Sequence, residues 1–396
     1  MSVDPPLLPP RYQDQGLLGR GGTAEVRRVW DPLLGRSAAI KFPLVPCPSD
    51  VIARFCAEAQ VTAALQHPGV PPVYDLGELP DGRPYILMAE IKGQSLDQVG
   101  PRLPLRRKVD VFARLCEPVA FAHQRGIFHG DLKPTNVMMG AFGEVLVVDW
   151  GSASVQAGTP AYLAPERARG APASVATDIY SLGALLLELL TGIPPFEGRE
   201  DPEVLAALRA GELPDCDVDL PAELRDWVEG ATHPEAAERP ASVREMVERV
   251  NAWLDQEDRR ERALALVARA EGRLAEQRAA LVEAEGLEAE AEVELSGIPA
   301  WAEATEKEGG WALQSRAAAL RRAAGLALAE GVQLFREALS VDPTCREAHR
   351  PLSEHYVAAL KDAEERREPE EAERLAVLVR AHGGRRYSRW LEGGGF

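Results

Sequence analysis

The stretch His129-Gly130-Asp131-Leu132-Lys133-Pro134-Thr135-Asn136 gathers an acid, a cation and an amide within eight residues, and Asp149-Trp150-Gly151 begins 13 residues after Asn136. An Asp, a Lys two residues on and an Asn five residues on, set before a β-hairpin, can converge on one point. Asp131 can orient and deprotonate a hydroxyl there, while Lys133 neutralises charge on a phosphoryl group in transfer. Asn136 and Asp149 offer the oxygen ligands that Mg²⁺ prefers. Upstream, Gly19-Arg20-Gly21-Gly22-Thr23-Ala24-Glu25-Val26 lies between two strand-like runs. Its glycines let backbone amides approach phosphate oxygens with no Cβ in the way. By itself such a segment is more often an ordinary β-turn. Lys41 stands 15 residues after Val26, at the end of the apolar run SAAIKF. It is awkward in a plain core strand and suited to a charge aimed at phosphates. Glu58 could hold it in place, although taken singly Glu58 reads as a solvated helix charge. Only six of the 45 basic residues are lysines, and two of them, Lys41 and Lys133, stand where a compact point charge is wanted.

The elements that must position these groups follow from periodicity. GLLGR, AEVRRVW, SAAIKF and YILMAEI read as strands, with a helix from Val51 to Gln66 stopped by HPGVPP. From Leu105 to Gln124 the apolar residues Val109, Phe112, Leu115, Cys116, Val119 and Ala122 recur at helical spacing. Short strands around Asn136 to Met139 and Glu144 to Val148 flank the turn AFG, and helices follow at Asp178 to Leu190 and Ala241 to Leu254. The expected fold class is α+β: a small strand-rich lobe and a larger helical lobe with a cleft between them, then an all-α region.

Composition narrows the function. Acidic residues outnumber basic ones by 62 to 45, a formal charge of -17. That argues against nucleic-acid or anionic-membrane partners, which want an excess of Lys and Arg. The longest apolar run, Leu182 to Leu190, is broken by Glu188 and falls far short of the ~20 residues that span a bilayer. No charged-then-apolar signal opens the chain. Five scattered cysteines imply neither a disulfide framework nor a zinc site. A cytoplasmic protein of more than one domain is expected.

With these residues quoted in order, the chain over residues 12 to 255 resembles the protein-kinase superfamily, and is similar to the eukaryotic-like Ser/Thr protein kinases of bacteria. The resemblance implies ATP and Mg²⁺ as cofactors and a protein Ser/Thr hydroxyl as acceptor. It implies Asp131 as catalytic base, Lys133 at the γ-phosphate, and Asn136 with Asp149 on the metal. Lys41 would hold the ATP phosphates with Glu58 as its partner, under a loop of Leu18, Gly19, Gly21 and Gly22. Val26, Ala39 and Met138 would sandwich adenine, with Met88 as gatekeeper and the backbone of Ala89 and Ile91 meeting the base. Gly158-Thr159-Pro160-Ala161-Tyr162-Leu163-Ala164-Pro165-Glu166 looks like the end of an activation segment. Thr159 would serve that segment, Glu166 would pair with Arg239, and Asp178 would brace the catalytic loop.

Departures from the pattern carry expectations of their own. Ala24 replaces a glycine, and Trp150 replaces a Phe. Gly130 stands where many kinases carry the Arg that clamps a phosphorylated loop. The segment from Asp149 to Glu166 is short, with Ser152, Ser154 and Thr159 as its hydroxyls, so activity is expected not to depend on its phosphorylation. HisGlyAsp also occurs in aminoglycoside and choline kinase-like enzymes, but Lys133, the GTPAYLAPE segment and Arg239 favour a protein substrate. A pseudokinase scaffold would have lost a phosphate-binding Lys, a base or a metal ligand, and none is lost here.

Beyond the kinase-like region the composition turns to Ala, Glu, Arg and Leu. Residues 1–11 are expected to be a flexible Pro-rich start, 256–298 a helical hairpin or weak coiled coil, 299–310 a linker, 311–383 a tetratricopeptide-like helical region and 384–396 a loose tail. Val267, Leu274, Leu281 and Leu295 fall in heptad register with Ala270, Ala284 and Ala291, a seam spoiled by Gln277 and Glu288. Ala319, Phe335, Ala338, Pro343, Leu352 and Tyr356 match one helix–turn–helix repeat, as an Ala-rich bundle also could. Trp301, Trp311, Tyr356 and Trp390 are expected to be core anchors. A protein partner on this helical region is the expected use of the tail.

Overall fold

The computed structural model describes residues 8–44, 48–151, 159–214, 220–299, 301–383 and 387, and the chain divides into two compact units, residues 1–254 and 255–396. The first unit opens with strands β1 (Gln13–Arg20), β2 (Ala24–Asp31), β3 (Arg36–Pro43), β4 (Val73–Glu78) and β5 (Pro84–Met88), an antiparallel sheet of order β1-β2-β3-β5-β4. Helix α1 (Ser49–Ala64) joins β3 to β4. The two-residue period of β3 sorts its side chains. Ala38, Ile40 and Phe42 pack with Tyr12, Val29, Tyr85 and Leu87 on one face. Ala39 and Lys41 face the other way, opposite Met88 and Ile86, which meet Phe55 and Ala59 of α1. Residues 8–11, expected to be loose, are tied to this sheet. Arg11 grips Asp31 through two hydrogen bonds of 3.1 and 2.6 Å, and Leu8 packs beside Tyr12.

A second sheet of order β6-β7-β8 is built from β6 (Gly93–Ser95), β7 (Val137–Gly140) and β8 (Val145–Val147), with α2 (Leu96–Val99) and α3 (Leu105–His123) between the first two strands. Helices α4 (Pro165–Ala168), α5 (Val175–Thr191), α6 (Asp201–Ala210), α7 (Ala222–Ala231) and the start of α8 (Val243–Ser296) complete the unit. The apolar stripe of α3 packs against Ile179, Leu182, Leu185, Leu186 and Leu189 of α5 and against Val243, Met246 and Val250 of α8. Helix α5 starts at a Ser174–Thr177 capping box and stops at Gly192 in the left-handed region (φ 77°). It is apolar almost all round because it is buried almost all round.

In the second unit α8 continues to Ser296, followed by α9 (Ala304–Val341), α10 (Arg346–Glu365) and α11 (Pro369–Gly383). Of the hairpin or weak coiled coil expected within 256–298, the hairpin would need a turn that α8 does not have, and α9 supplies the facing helix. The reason is local: no turn signal interrupts the heptads until Gly297 and Pro299, so the helix runs on to them. Of the expected linker, residues 297–299 and 301–303 are non-helical, and 304–310 are helical. Ala270, Ala284 and Ala291 of the seam are buried, with Ala284 clustering with Ala317. Glu288, at a position that spoils the seam, takes both arms of Arg321 at 2.6 Å. Phe335, Ala338, Leu352 and Tyr356 share the core of this unit, whereas Ala319 and Pro343 are exposed. Trp301 and Trp311 are exposed too, at 88% and 47%, which corrects their expected core role. Trp301 stands in the turn that precedes α9, and the contact between α8 and α9 is filled by smaller residues such as Ala284, Leu287 and Ala317. Trp390 and the 384–396 tail, Tyr387 apart, lie outside the described residues. Among the described residues no helix is long and apolar enough to cross a membrane.

One close contact tests the packing of the first unit. A Cβ on Gly183 of α5 would lie 2.6 Å from the Ala231 Cβ of α7. Gly183→Ala gains helix propensity worth about 1 kcal/mol, yet overpacking of this kind costs about 1–3 kcal/mol. A lower urea midpoint, read by tryptophan fluorescence, is expected; a raised midpoint would show that α5 and α7 separate freely.

Candidate active site

Asp178, in the first turn of α5, has no exposed surface, and its carboxylate accepts the backbone N–H groups of His129 and Gly130, each at 2.9 Å. His123 at the end of α3 adds a third contact, Nε2 to Oδ2 at 2.8 Å. Two charge-assisted hydrogen bonds thus fix the loop from His129 to Asn136 on the buried helix, and the third ties the end of α3 to the same carboxylate. His129 donates from Nε2 to the Val148 carbonyl at 2.9 Å, which leaves Nδ1 to accept the Asp131 N–H at 3.3 Å. Gly130 between them adopts φ 78°, a conformation that strains any residue with a Cβ.

The loop brings Asp131, Lys133, Asn136 and Thr159 together. Lys133 Nζ lies 2.8 Å from Asp131 Oδ2 and 2.8 Å from Thr159 Oγ1. Thr159 in turn donates to Asp131 Oδ1 from its backbone N–H at 3.0 Å and its hydroxyl at 3.2 Å. Asn136 donates its amide to the Asp131 carbonyl at 2.9 Å, so the oxygen it offers a cation is Oδ1. Asp149 follows β8 in the left-handed region, at φ 62°. Trp150 is fully buried, its Nε1 donating to the Val147 carbonyl at 2.8 Å and its ring 4.9 Å from that of His129. The larger ring is accommodated because its one polar atom is satisfied. At Gly151 (φ 96°) an added Cβ would stand 3.0 Å from Glu58 Cα, so the chain passes hard against α1. Ser152, Ser154 and Gly158 lie outside the described residues.

Lys41 joins the sheet to this loop. Its Nζ lies 2.5 Å from Glu58 Oε1 and 2.8 Å from Asp149 Oδ1. Burial works against the Lys41 ammonium, but Asp149 and then Glu58 more than offset it, and its pKa lies above the ordinary lysine value. Burial, helped by the like charge of Asp149, holds the Glu58 carboxyl above its usual range despite Lys41. For Asp149 desolvation is outweighed by Lys41, with His129 and Lys133 adding, and its carboxyl is held below the usual range. The result is a fixed cation between two carboxylates, ready for anionic oxygens.

The chain's own residues fit ATP and a divalent cation. None of Gly19, Gly21 and Gly22 has a positive φ, and a Cβ on Gly19 or Gly22 would meet nothing within 4 Å. Neither backbone strain nor the protein's own packing asks for glycine there, so the room belongs to an approaching group. Leu18 is 41% exposed beside this turn. Val26 lies opposite Lys41, and Ala39 opposite Met88, on the face of the sheet that carries Lys41. Met88 packs against α1, and the Ala89 N–H is taken by the Pro72 carbonyl at 3.0 Å, leaving the Ala89 carbonyl to meet a ligand. Ile91 follows it, half-buried, and Met138 sits in β7 opposite Ser95 and Leu146. Asn136 and Asp149 supply hard oxygen donors. Among the described residues no group of three or more His, Cys, Asp or Glu is poised to hold a metal by itself.

Farther along, Arg239 clasps Glu166 with two nearly parallel bonds of 2.7 and 2.9 Å and also donates to the carbonyls of His233 and Ala176. Two partners escaped the sequence. His123 gave only the signal of a histidine ending an apolar helix. Tyr162 hydrogen-bonds Glu188, the single charge in the Leu182–Leu190 run. Burial raises both the Tyr162 and Glu188 pKa values.

A lobe of antiparallel strands over a helical lobe, with a lysine, two acids, an asparagine and a glycine-rich turn converging at the junction, defines a phosphotransferase fold. The protein kinase domain family matches residues 12–261, and the chain belongs to that family. It is 38% identical over 216 residues to the DNA damage-responsive serine/threonine-protein kinase RqkA of Deinococcus radiodurans, covering 50% of this chain and 32% of that protein. It is 39% identical over 247 residues to the serine/threonine-protein kinase PknB of Mycobacterium tuberculosis, covering 54% and 39%. A probable PknB of Corynebacterium glutamicum is 36% identical over 240 residues, covering 55% and 37%. In each case the chain spans less than two-fifths of the relative's length.

Arg239→Ala would leave Glu166 without its partner in a largely buried site. A loss of about 3 kcal/mol in unfolding free energy is expected, read by chemical denaturation. A loss below about 1 kcal/mol would show that water replaces the guanidinium.

Proposed function

We propose that this chain transfers the γ-phosphoryl group of Mg-ATP to a Ser or Thr hydroxyl of a protein. The observation that carries the reading is Thr159: an aliphatic hydroxyl already donates to the Asp131 carboxylate while Lys133 donates to the same oxygen. A substrate hydroxyl held in this way is oriented and stripped of its proton by Asp131, while Lys133 balances the charge on the phosphoryl oxygens. Lys41, locked by Glu58, positions the nucleotide phosphates, and the Ala89 and Ile91 backbone with Val26, Ala39 and Met138 receives the adenine. Asn136 and Asp149 hold Mg²⁺, which when bound draws charge from the phosphate oxygens. Glu166 with Arg239, and Asp178 with the loop amides, keep the acceptor side in place. The free thiols of Cys56, Cys116 and Cys345 fit a reducing, cytoplasmic setting.

Asp131→Asn keeps the shape and removes the base. Transfer of labelled phosphate to a generic basic protein is expected to fall about a thousandfold. Label appearing only on an aminoglycoside or on choline would assign the chain to small-molecule phosphotransferases. ATP binding without transfer would make the fold a scaffold.

Activity is also proposed to be independent of phosphorylation in the segment from Asp149 to Glu166. Gly130 offers no guanidinium to a phosphate, and its left-handed backbone leaves no easy place for one. Phosphatase-treated protein, freed of phosphatase, is expected to start at the rate of untreated protein; a lag or a loss would overturn this.

A further inference from the structure

In the second unit, α10 and the end of α11 flank an open cleft of about 370 Å³ lined by Arg346, His349, Arg350, Ser353 and His382. No carboxylate is among its lining residues as described, in a chain whose formal charge is -17. Arg346 and Arg350 are one helical turn apart and so share a face of α10. Arg346 is also the first residue of that helix, at the positive end of its dipole. Glu354 holds Arg350 through Nε at 3.1 Å, which leaves the two terminal nitrogens of the guanidinium for a ligand. Ser353 spends its proton on the Arg350 carbonyl at 2.7 Å.

The two imidazoles have their protons assigned by their partners. His349 Nε2 lies 2.9 Å from the Pro343 carbonyl oxygen and must donate to it. In a neutral ring Nδ1 is then an acceptor, and His382 Nδ1, 3.0 Å away, must donate to it. The basic nitrogen left on His382 is Nε2. A proton arriving there makes a cation without breaking either hydrogen bond. Burial first, then His349 and Arg336, depress the His382 pKa, and an anion in the cleft would act in the opposite direction.

We infer that this cleft binds a phosphate monoester carried on a protein segment. Two guanidinium groups and an imidazole offer more N–H donors than the two oxygens of a carboxylate can accept, while a phosphoryl group presents three oxygens and close to two charges. The cleft is open and far larger than one phosphate, which suits an ester on a chain. The choice of a protein-borne ester rests on the kinase reading above, since such esters are what that activity makes. The cleft thereby retains phosphorylated products or partners.

The test uses the full chain without ATP and a fluorescent phosphothreonine peptide, with its unphosphorylated twin and inorganic phosphate alongside. Because the peptide is supplied already phosphorylated, the result does not depend on whether the chain catalyses transfer. Anisotropy should show the phosphopeptide binding at least tenfold tighter than its twin. R346A/R350A should lose at least tenfold in affinity, with circular dichroism and generic-peptide phosphorylation unchanged. Should that double variant alter the dichroism, R346Q/R350Q, which keeps length and polarity, must show the same loss. Equal binding of the twin, undiminished binding by the arginine variants, or displacement by inorganic phosphate at the peptide's own concentration scale would each overturn the proposal.

Discussion

A carboxylate with no exposed surface, Asp178, carries the loop from His129 to Asn136, and the rest of the candidate site is arranged around that constraint. A buried anion is tolerated only when its oxygens are fully engaged. Here the engagement comes from two consecutive backbone amides, those of His129 and Gly130, and from His123. Their donors can reach one carboxylate only if the loop takes a single path, with Gly130 in the left-handed region. Helix α5 is sealed on nearly every side by α3, α7 and the start of α8. The loop therefore inherits the rigidity of a helix buried on almost every side.

From that anchor the geometry propagates outward through charge. Asp131 faces Lys133 and Thr159, and Asn136 is turned by its bond to the Asp131 carbonyl. Across the site, Lys41 is shared by Glu58 and Asp149. Neither carboxylate can leave without abandoning a cation already stripped of water. The close pass of Gly151 over Glu58 explains why the residue after Trp150 must be small. The helical unit follows a different economy: its helices approach through alanines and are laced by exposed Arg–Glu pairs such as Arg321–Glu288 and Arg316–Glu283. Such pairs contribute little stability each, so the small-residue seam has the larger share.

What was legible in the sequence was what periodicity and short spacing encode. The alternation in SAAIKF sent Lys41 and Ala39 to one face and the apolar residues to the other. The 131–136 cluster is local, since residues two and five apart in one loop meet wherever the loop lies. Relations between distant segments were harder to read. His123 as a partner of Asp178, and Tyr162 as a partner of Glu188, join residues 55 and 26 positions apart. No spacing rule connects them. Of the two forms expected for 256–298, the hairpin is not the one taken, because heptads specify that a helix has a partner face, not where the partner begins.

Residue types and their order by themselves placed a glycine-rich turn, a lysine-bearing strand, the Asp131–Asn136 loop and the carboxylate of Asp149 in one domain, with a helical region after it. Tertiary structure alone decided that Thr159 sits on Asp131, that Trp150 is buried against His129, and that Trp301 and Trp311 are exposed. It also decided that His349 and His382 face each other across α10 and α11. The physical reason is the same throughout. Hydrogen bonding and alternation act between near neighbours and can be read along the chain, whereas burial is a property of the space that many distant segments leave to one side chain.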